Sequence, residues 1–208
     1  VEKLRLVKDE NELLAIRQAQ KITDQTFSHI LKYIKPGVNE QEIALEMEYF
    51  IRKQGASGVA FEIIVASGKN SSLPHAKPTD KKLQKGDFIT LDFGARFANY
   101  CSDMTRTVFL GNVNETQKNI YNIVLKAQEV ALEYIKSGVL GKDVDREARI
   151  IIEKNGFGAN FGHGLGHGVG IEIHEGPRLS PKGDIELLPN MVVTVEPGIY
   201  IKGYGGVR

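Results

Sequence analysis

The sequence predicts an α+β fold in which two copies of a helix–helix–strand unit pack face to face, with helices outside and one continuous antiparallel sheet inside. Two observations carry this. The first is a repeat: Tyr33 to Val38 (YIKPGV) recurs as Tyr134 to Val139 (YIKSGV) at an offset of 101, and Ile51, Lys53 and Gly55 recur as Ile152, Lys154 and Gly156. Further on the offset becomes 104, aligning Thr90 to Gly94 (TLDFG) with Thr194 to Gly198 (TVEPG). Two copies at so long a period exclude a solenoid. The second is that each copy carries two helix signals followed by strand-like runs.

The elements follow in order. Asp9 with Glu12 has capping-box spacing and opens a helix carrying Leu13, Ile16, Ile22, Phe27, Ile30 and Leu31. Asn39 with Glu42 opens a second, with Ile43, Met47, Phe50 and Ile51 on one face and Gly55 as its stop. Phe61 to Ala66 and Phe88 to Phe93 read as strands, and Thr105 to Leu110 as the return of a hairpin whose turn falls near Ala95 to Ala98. Asn114 with Gln117 opens a third helix, in which Ile120, Ile123, Val124, Ala127, Val130, Ala131 and Tyr134 keep three-four spacing. A fourth runs from about Lys142 to Asn155, burying Val144, Ala148, Ile151 and Ile152, before Gly156. IEIHE, Ile171 to Glu175, and Met191 to Ile201 read as strands.

Composition narrows the function classes. The chain has 208 residues, enough for one sizeable core or two small ones. A formal charge of +1 gives no bulk electrostatic case for nucleic acid or an anionic membrane. Lone Cys101 excludes an internal disulfide and fits a reducing, cytoplasmic setting. No run approaches the roughly 20 apolar residues that span a bilayer. The start, VEKLRLVKDE, is too charged for a signal peptide and lacks an initiator Met, so the chain reads as a fragment or processed form.

Chemistry concentrates in a few places. GHGLGHGVG followed by IEIHE packs His163, His167 and His174, three of five histidines, into a dozen residues. Asp92 and Asp103 flank the predicted hairpin, and the repeat makes Asp92 the counterpart of Glu196. Singly, Asp92 is a strand-end aspartate and Asp103 a cap or salt-bridge partner. Together, a pseudo-twofold axis brings Asp92 and Glu196 to one central place. Carboxylates and an imidazole converging there repel unless cations sit between them, and that donor set suits Mn, Co, Fe or Zn. His167 and His174 are seven residues apart, an odd step that points them to opposite faces of a strand. They reach one site only if the backbone bends, which Gly168 and Gly170 permit. There is no strand–GxGxxG–helix context, no GK[ST] and no helical HExxH.

LPHAKP around His75, LDFG with SDMTRT eleven residues on, HGLGHGVGIEIHE, VEPGIY and the closing GGVR stand in this order. In that order and spacing the chain resembles the catalytic domain of pita-bread-fold metallopeptidases, closest to Xaa-Pro dipeptidase (prolidase) and aminopeptidase P. The resemblance implies a hydrolase that cleaves the Xaa-Pro bond at the N-terminus of di- or short peptides. Its nucleophile would be a water or hydroxide bridging two divalent ions, Mn or Co first and Zn or Fe as alternatives. It implies that Asp92 chelates one ion, Asp103 bridges both, and His167 and Glu196 hold the second. Glu196 would also accept the water's proton. His75 and His174 would stand beside the metals as catalytic groups, His163 would line the pocket for the residue after the cut, and Tyr200 and Arg208 would bind substrate.

In the family pattern a fifth ligand, a bridging glutamate, follows GVR, which here would lie two residues past Arg208. Residues 10–208 are thus expected to be a C-terminally incomplete catalytic domain, one ligand short for tight metal binding and for activity alone. Residues 1–9 are expected to be the linker from a further N-terminal domain, with homodimerisation in the full-length protein. Two alternatives stay open. One is methionine aminopeptidase, whose resembling motif has one His where this chain has the His163–His167 pair, and a CHG-like context where it has PHAKP. The other is a non-catalytic peptide-binding module on the same fold, against which stand the four intact ligand positions.

Overall fold

Reciprocal capping starts the long helices where the sequence predicts. In the computed structural model, which describes residues 2–208, Asp9 accepts the Glu12 amide while Glu12 accepts the Asp9 amide, opening α2 (Glu10–Ile30) after a short α1 (Glu2–Arg5). Asn39 with Glu42 caps α3 (Glu40–Lys53), and Asn114 with Gln117 caps α4 (Glu115–Tyr134). Each such cap contributes about 1 kcal/mol. α5 (Gly141–Lys154) has no side-chain cap. Its first residue is instead pressed against backbone, since a Cβ on Gly141 would lie 2.2 Å from Arg178 O. Glu40, the repeat equivalent of Gly141, is buried and takes hydrogen bonds from the Ser67 amide and hydroxyl at 2.7 Å each.

The strands are β1 (Gly58–Val59), β2 (Ile64–Ser67), β3 (Phe88–Phe93), β4 (Ala95–Phe97), β5 (Tyr100–Cys101), β6 (Met104–Phe109), β7 (Gly166–Gly168), β8 (Glu175–Leu179), β9 (Ile199–Ile201) and β10 (Gly205–Val207). All named pairings are antiparallel, in the orders β2-β3-β6, β1-β4-β5, β7-β8 and β9-β10. The expected continuous sheet is thus divided into four small sheets. Cys101 N to Gly170 O at 2.8 Å and Thr107 Oγ1 to Arg208 O at 3.0 Å link the halves.

The repeat is structural. An isolated bridge joins Asn39 to Lys82 in the first half and Leu140 to Glu186 in the second, reproducing both sequence offsets. Gly37 N donates to Leu83 O at 3.0 Å, and Gly138 N to Leu187 O at 2.9 Å. Each half has its own core. One gathers Ile22, Met47, Ile51 and Leu91 under α2 and α3, and the other Ile120, Val124, Val144 and Ile152 under α4 and α5. Full burial of one such side chain contributes about 1.5–3 kcal/mol. Leu31, expected on the buried face of the first helix, is exposed because it is the C-cap, where the helical stripe ends.

Three strand expectations are corrected. Phe61 to Ala66 becomes strand only from Ile64. Ile171 to His174 forms no strand, because the chain reverses there between β7 and β8. Met191 to Val195 forms no named strand and is bonded along one edge, to β7 through Thr194 N to His167 O and to the residue after β7 through Val169 N to Val192 O. Regular pairing resumes only at β9, past Pro197. Residues 2–9 pack onto the domain, with Lys8 N donating to Asn190 O at 3.1 Å, while Val1 of the expected linker lies outside the described residues. Among the described residues no helix is long and apolar enough to cross a membrane.

Candidate metal centre

Asp92 reaches the centre because β3, buried along its length, carries it inward between Ile64 and Thr105. The chain then makes a tight excursion through β4 and β5, turning at Ala98 (φ +47°) and Asn99 (φ +68°), the left-handed pair that a two-residue hairpin turn requires. Asp103 follows, just before β6.

β7 places His167 opposite them. Its Nε2 lies 3.4 Å from Asp103 Oδ2 and 3.2 Å from Glu196 Oε1, while Nδ1 faces Gly168 O at 3.0 Å. One donor atom from each of Asp103, His167 and Glu196 lies within 4.8 Å of the others. Thr194 sets this geometry: its hydroxyl donates to Glu196 Oε1 at 2.7 Å and accepts the His167 amide at 3.0 Å. Close backbone approach needs glycine here. A Cβ on Gly166 would lie 2.0 Å from Thr194 O, and one on Gly168 1.9 Å from Gly176 O. Neither glycine has a positive φ, so contact distance, not backbone freedom, fixes their identity.

The electrostatics show a site built around positive charge. Burial opposes protonation of His167, but its hydrogen bonds to Asp103 and Glu196 win and raise it to about 10. Burial likewise opposes the charge on Glu196, but His167 and Thr194 outweigh it and hold that carboxyl below its usual value. Asp92 is raised to about 7, chiefly by burial; Arg208 pulls it down, and Asp103 and Glu196 push it up. Two carboxylates and an imidazole converging in a partly buried place fit a divalent cation, which would take the position of the His167 proton. Asp92 stands beside this triad with one oxygen held by the Arg208 guanidinium.

The other sequence candidates surround the same place. A cavity of about 410 Å³ is lined by His75, His163, His167, His174, Glu196 and Arg208, among others. Burial holds His163 below its usual value, and its Nε2 lies 2.9 Å from Tyr200 Oη. His174 is lowered by burial and by neighbouring His167, whose ring it meets edge-on at 4.4 Å. The bend that joins them is the β7–β8 reversal. Burial pushes the Tyr200 phenol up. Arg208, 4% exposed at its side chain, donates to Asp92, to Thr105 Oγ1 at 3.0 Å, to Pro74 O at 3.1 Å and to Tyr200 Oη at 3.4 Å. It therefore ties the His75 loop to the acidic centre.

Sequence reasoning missed Thr194, Thr105 and the pair Asp145–Arg149. Thr194 stood in the aligned TLD and TVE segments, where the repeat could have drawn notice to it. Asp145 and Arg149 look like an ordinary i,i+4 helix pair, yet Asp145 is only 1% exposed. Arg149 donates to Phe161 O at 3.1 Å and His163 O at 2.9 Å, and Asp145 accepts the Leu165 amide at 3.0 Å. The pair clamps the loop that leads into β7.

The chain is similar over its whole length to proteins of known type. It is 44% identical over 208 residues to the Xaa-Pro dipeptidase of Pyrococcus furiosus, covering 100% of this chain and 60% of that protein. Among solved structures, the Xaa-Pro dipeptidase from Bacillus anthracis superposes with a TM-score of 0.98 at 51% identity, and the X-Pro aminopeptidase from Thermotoga maritima with 0.97 at 49%. This chain is covered fully in both cases and spans 58% and 59% of those chains. The architecture is accordingly the pita-bread fold expected from the motifs. Residues 15–208 match metallopeptidase family M24. The match runs through both halves of the repeat and takes in every candidate ligand, and the chain therefore belongs to that family.

Proposed function

We propose that the protein is a metal-dependent Xaa-Pro peptidase that hydrolyses the bond before proline at the N-terminus of di- or short peptides. The observation that carries the reading is the convergence of Asp103, His167 and Glu196 donor atoms within 4.8 Å beside a histidine-lined cavity. Asp92, Asp103, His167 and Glu196 would hold two divalent ions, with Mn or Co as first choice. Such ions, when bound, supply Lewis acidity toward the scissile carbonyl and acidify a water.

This chain's own residues do the rest. Glu196, kept ionised by its hydrogen bonds, accepts a proton at the carboxylate. Burial favours the neutral imidazole at His174 and His163, and neutral His174, beside His167, has a ring nitrogen free to accept a proton during the reaction. His75, on the cavity wall, stands where it can steady the intermediate. His163 and Tyr200, bonded to each other, shape the pocket for the residue after the cut, and Arg208 holds Tyr200 and Asp92 in register. The names of the B. anthracis and T. maritima relatives support Xaa-Pro specificity, and stand at nearly equal identity for dipeptidase and aminopeptidase. The reading includes a fifth ligand beyond Arg208, a domain reached through residues 1–9, and a homodimer of the longer protein. It also includes a cytoplasmic setting, supported by the single buried Cys101.

The test is hydrolysis of Ala-Pro, Ala-Pro-Gly and Met-Gly-Gly by the protein loaded with Mn or Co. Cleavage confined to the proline peptides is expected. Preference for Met-Gly-Gly would establish methionine aminopeptidase, and cleavage of none would leave a peptide-binding module.

A further inference from the structure

His174 is exposed and precedes β8, on a reversal without strand pairing, yet its ring stands against His167. Something other than a strand must hold it. The next residue, Glu175, has a side chain only 7% exposed, and three donors converge on its carboxylate. The Glu172 amide donates to Oε1 at 2.9 Å, Arg5 Nη2 donates to the same oxygen, and Lys8 Nζ stands 3.4 Å from Oε2. Lys8 is itself 2% exposed, unusual for lysine. The loop closes tightly over this cluster, for a Cβ on Gly170 would lie 2.5 Å from Glu175 Oε2. Leu6, between the two cations, packs on Gly176 from the other side.

A fully paired buried carboxylate specifies position, because moving it strands charge in a place without water. Its two cationic partners come from the first eight residues, which the charge pattern alone marks as a solvated linker.

We propose that Arg5 and Lys8 are positioning residues which, by clamping Glu175, fix His174 against His167, so that the N-terminal segment buttresses the part of the cavity lined by His174 and Glu175. The link to catalysis rests on the peptidase reading above, whereas the clamp itself does not. Lys8 acts through Glu175, and Arg5 through Glu175 and, at 3.9 Å, Glu172 on the same reversal, so their loss frees 171–175 while leaving the β7 donor set in place.

The experiment compares Lys8→Met, Arg5→Met and Lys8→Arg with a control, Lys81→Met, which breaks a Lys81–Asp87 ion pair outside the site. Four readouts are taken: amide exchange across 164–175, the NOE between the His167 and His174 rings, Mn binding by calorimetry, and Ala-Pro turnover. In Lys8→Met and Arg5→Met, faster exchange confined to 171–175 and loss of the NOE are expected, with Mn affinity retained. Because a displacement of about 1 Å costs on the order of 100-fold, kcat should fall by roughly 10- to 100-fold with little change in KM. Lys8→Arg should restore all four, and Lys81→Met should move none. An intact NOE with unchanged local exchange would overturn the clamp, as would exchange rising equally across 164–175. If no variant and no parent protein cleaves Ala-Pro, the peptidase reading fails, while exchange and the NOE still decide the clamp.

Discussion

Thr194 Oγ1 stands 2.7 Å from Glu196 Oε1, and the same hydroxyl accepts the His167 amide, so one side chain orients two members of the acidic centre. Partners that orient a ligand in this way typically change metal affinity by 10- to 100-fold. Thr194→Val, nearly the same shape, is expected to weaken Mn binding about 10-fold or more, and Thr194→Ser to retain most of it. Isothermal calorimetry checks this, and equal affinity in Thr194→Val and the parent would refute the role.

Metal-free stability should fall as pH rises. His167 is raised from 6.5 to about 10, so the folded state binds the proton more tightly than the unfolded chain. That contribution is complete below the unfolded value and is lost as pH climbs through 10. Asp92, raised from 3.8 to about 7 by burial, acts with the same sign at lower pH, since the folded state again holds more protons. Thermal melts between pH 6 and 10 should show the midpoint dropping without metal, and His167→Ala should flatten the slope above pH 7. Divalent ion should stabilise most at the alkaline end, where it no longer competes with the His167 proton.

Arg149 is predicted to be the costliest of the residues that hold the histidine loop. Arg149→Met leaves Asp145 buried without its cation and strands two loop carbonyls, a loss of about 3–5 kcal/mol. Arg149→Lys should recover only part of this, because a point charge cannot replace the fork that spans Asp145, Phe161 O and His163 O. Urea unfolding of the metal-free proteins measures both.

Ala98 sits at φ +47° in the turn between β4 and β5, a conformation that burdens any residue with a Cβ. Ala98→Gly should therefore raise stability by about 1 kcal/mol, even after glycine's greater freedom in the unfolded chain is counted. A lower urea midpoint would show the turn adopts another form.

What the sequence determined by itself was whatever closes over a few residues or repeats openly. The starts at Asp9, Asn39 and Asn114 were legible because each cap partner lies three residues on. The Asp92–Glu196 correspondence was legible because two copies of one pattern align, whereas His75, His163 and His174 were drawn to that place only by the resemblance of their motifs to a known family. Tertiary structure decided the rest. Only packing shows that Asp145 is buried and Leu31 is not, since an i,i+4 pair and an apolar stripe read the same on either face. Only chain reversal brings His174 to His167 against the strand parity of their spacing. Arg208 meeting Asp92, and Arg5 and Lys8 meeting Glu175, depend on contacts between residues more than a hundred positions apart. Such contacts are paid for in loop-closure entropy and returned by burial, and no local pattern in the chain encodes that exchange.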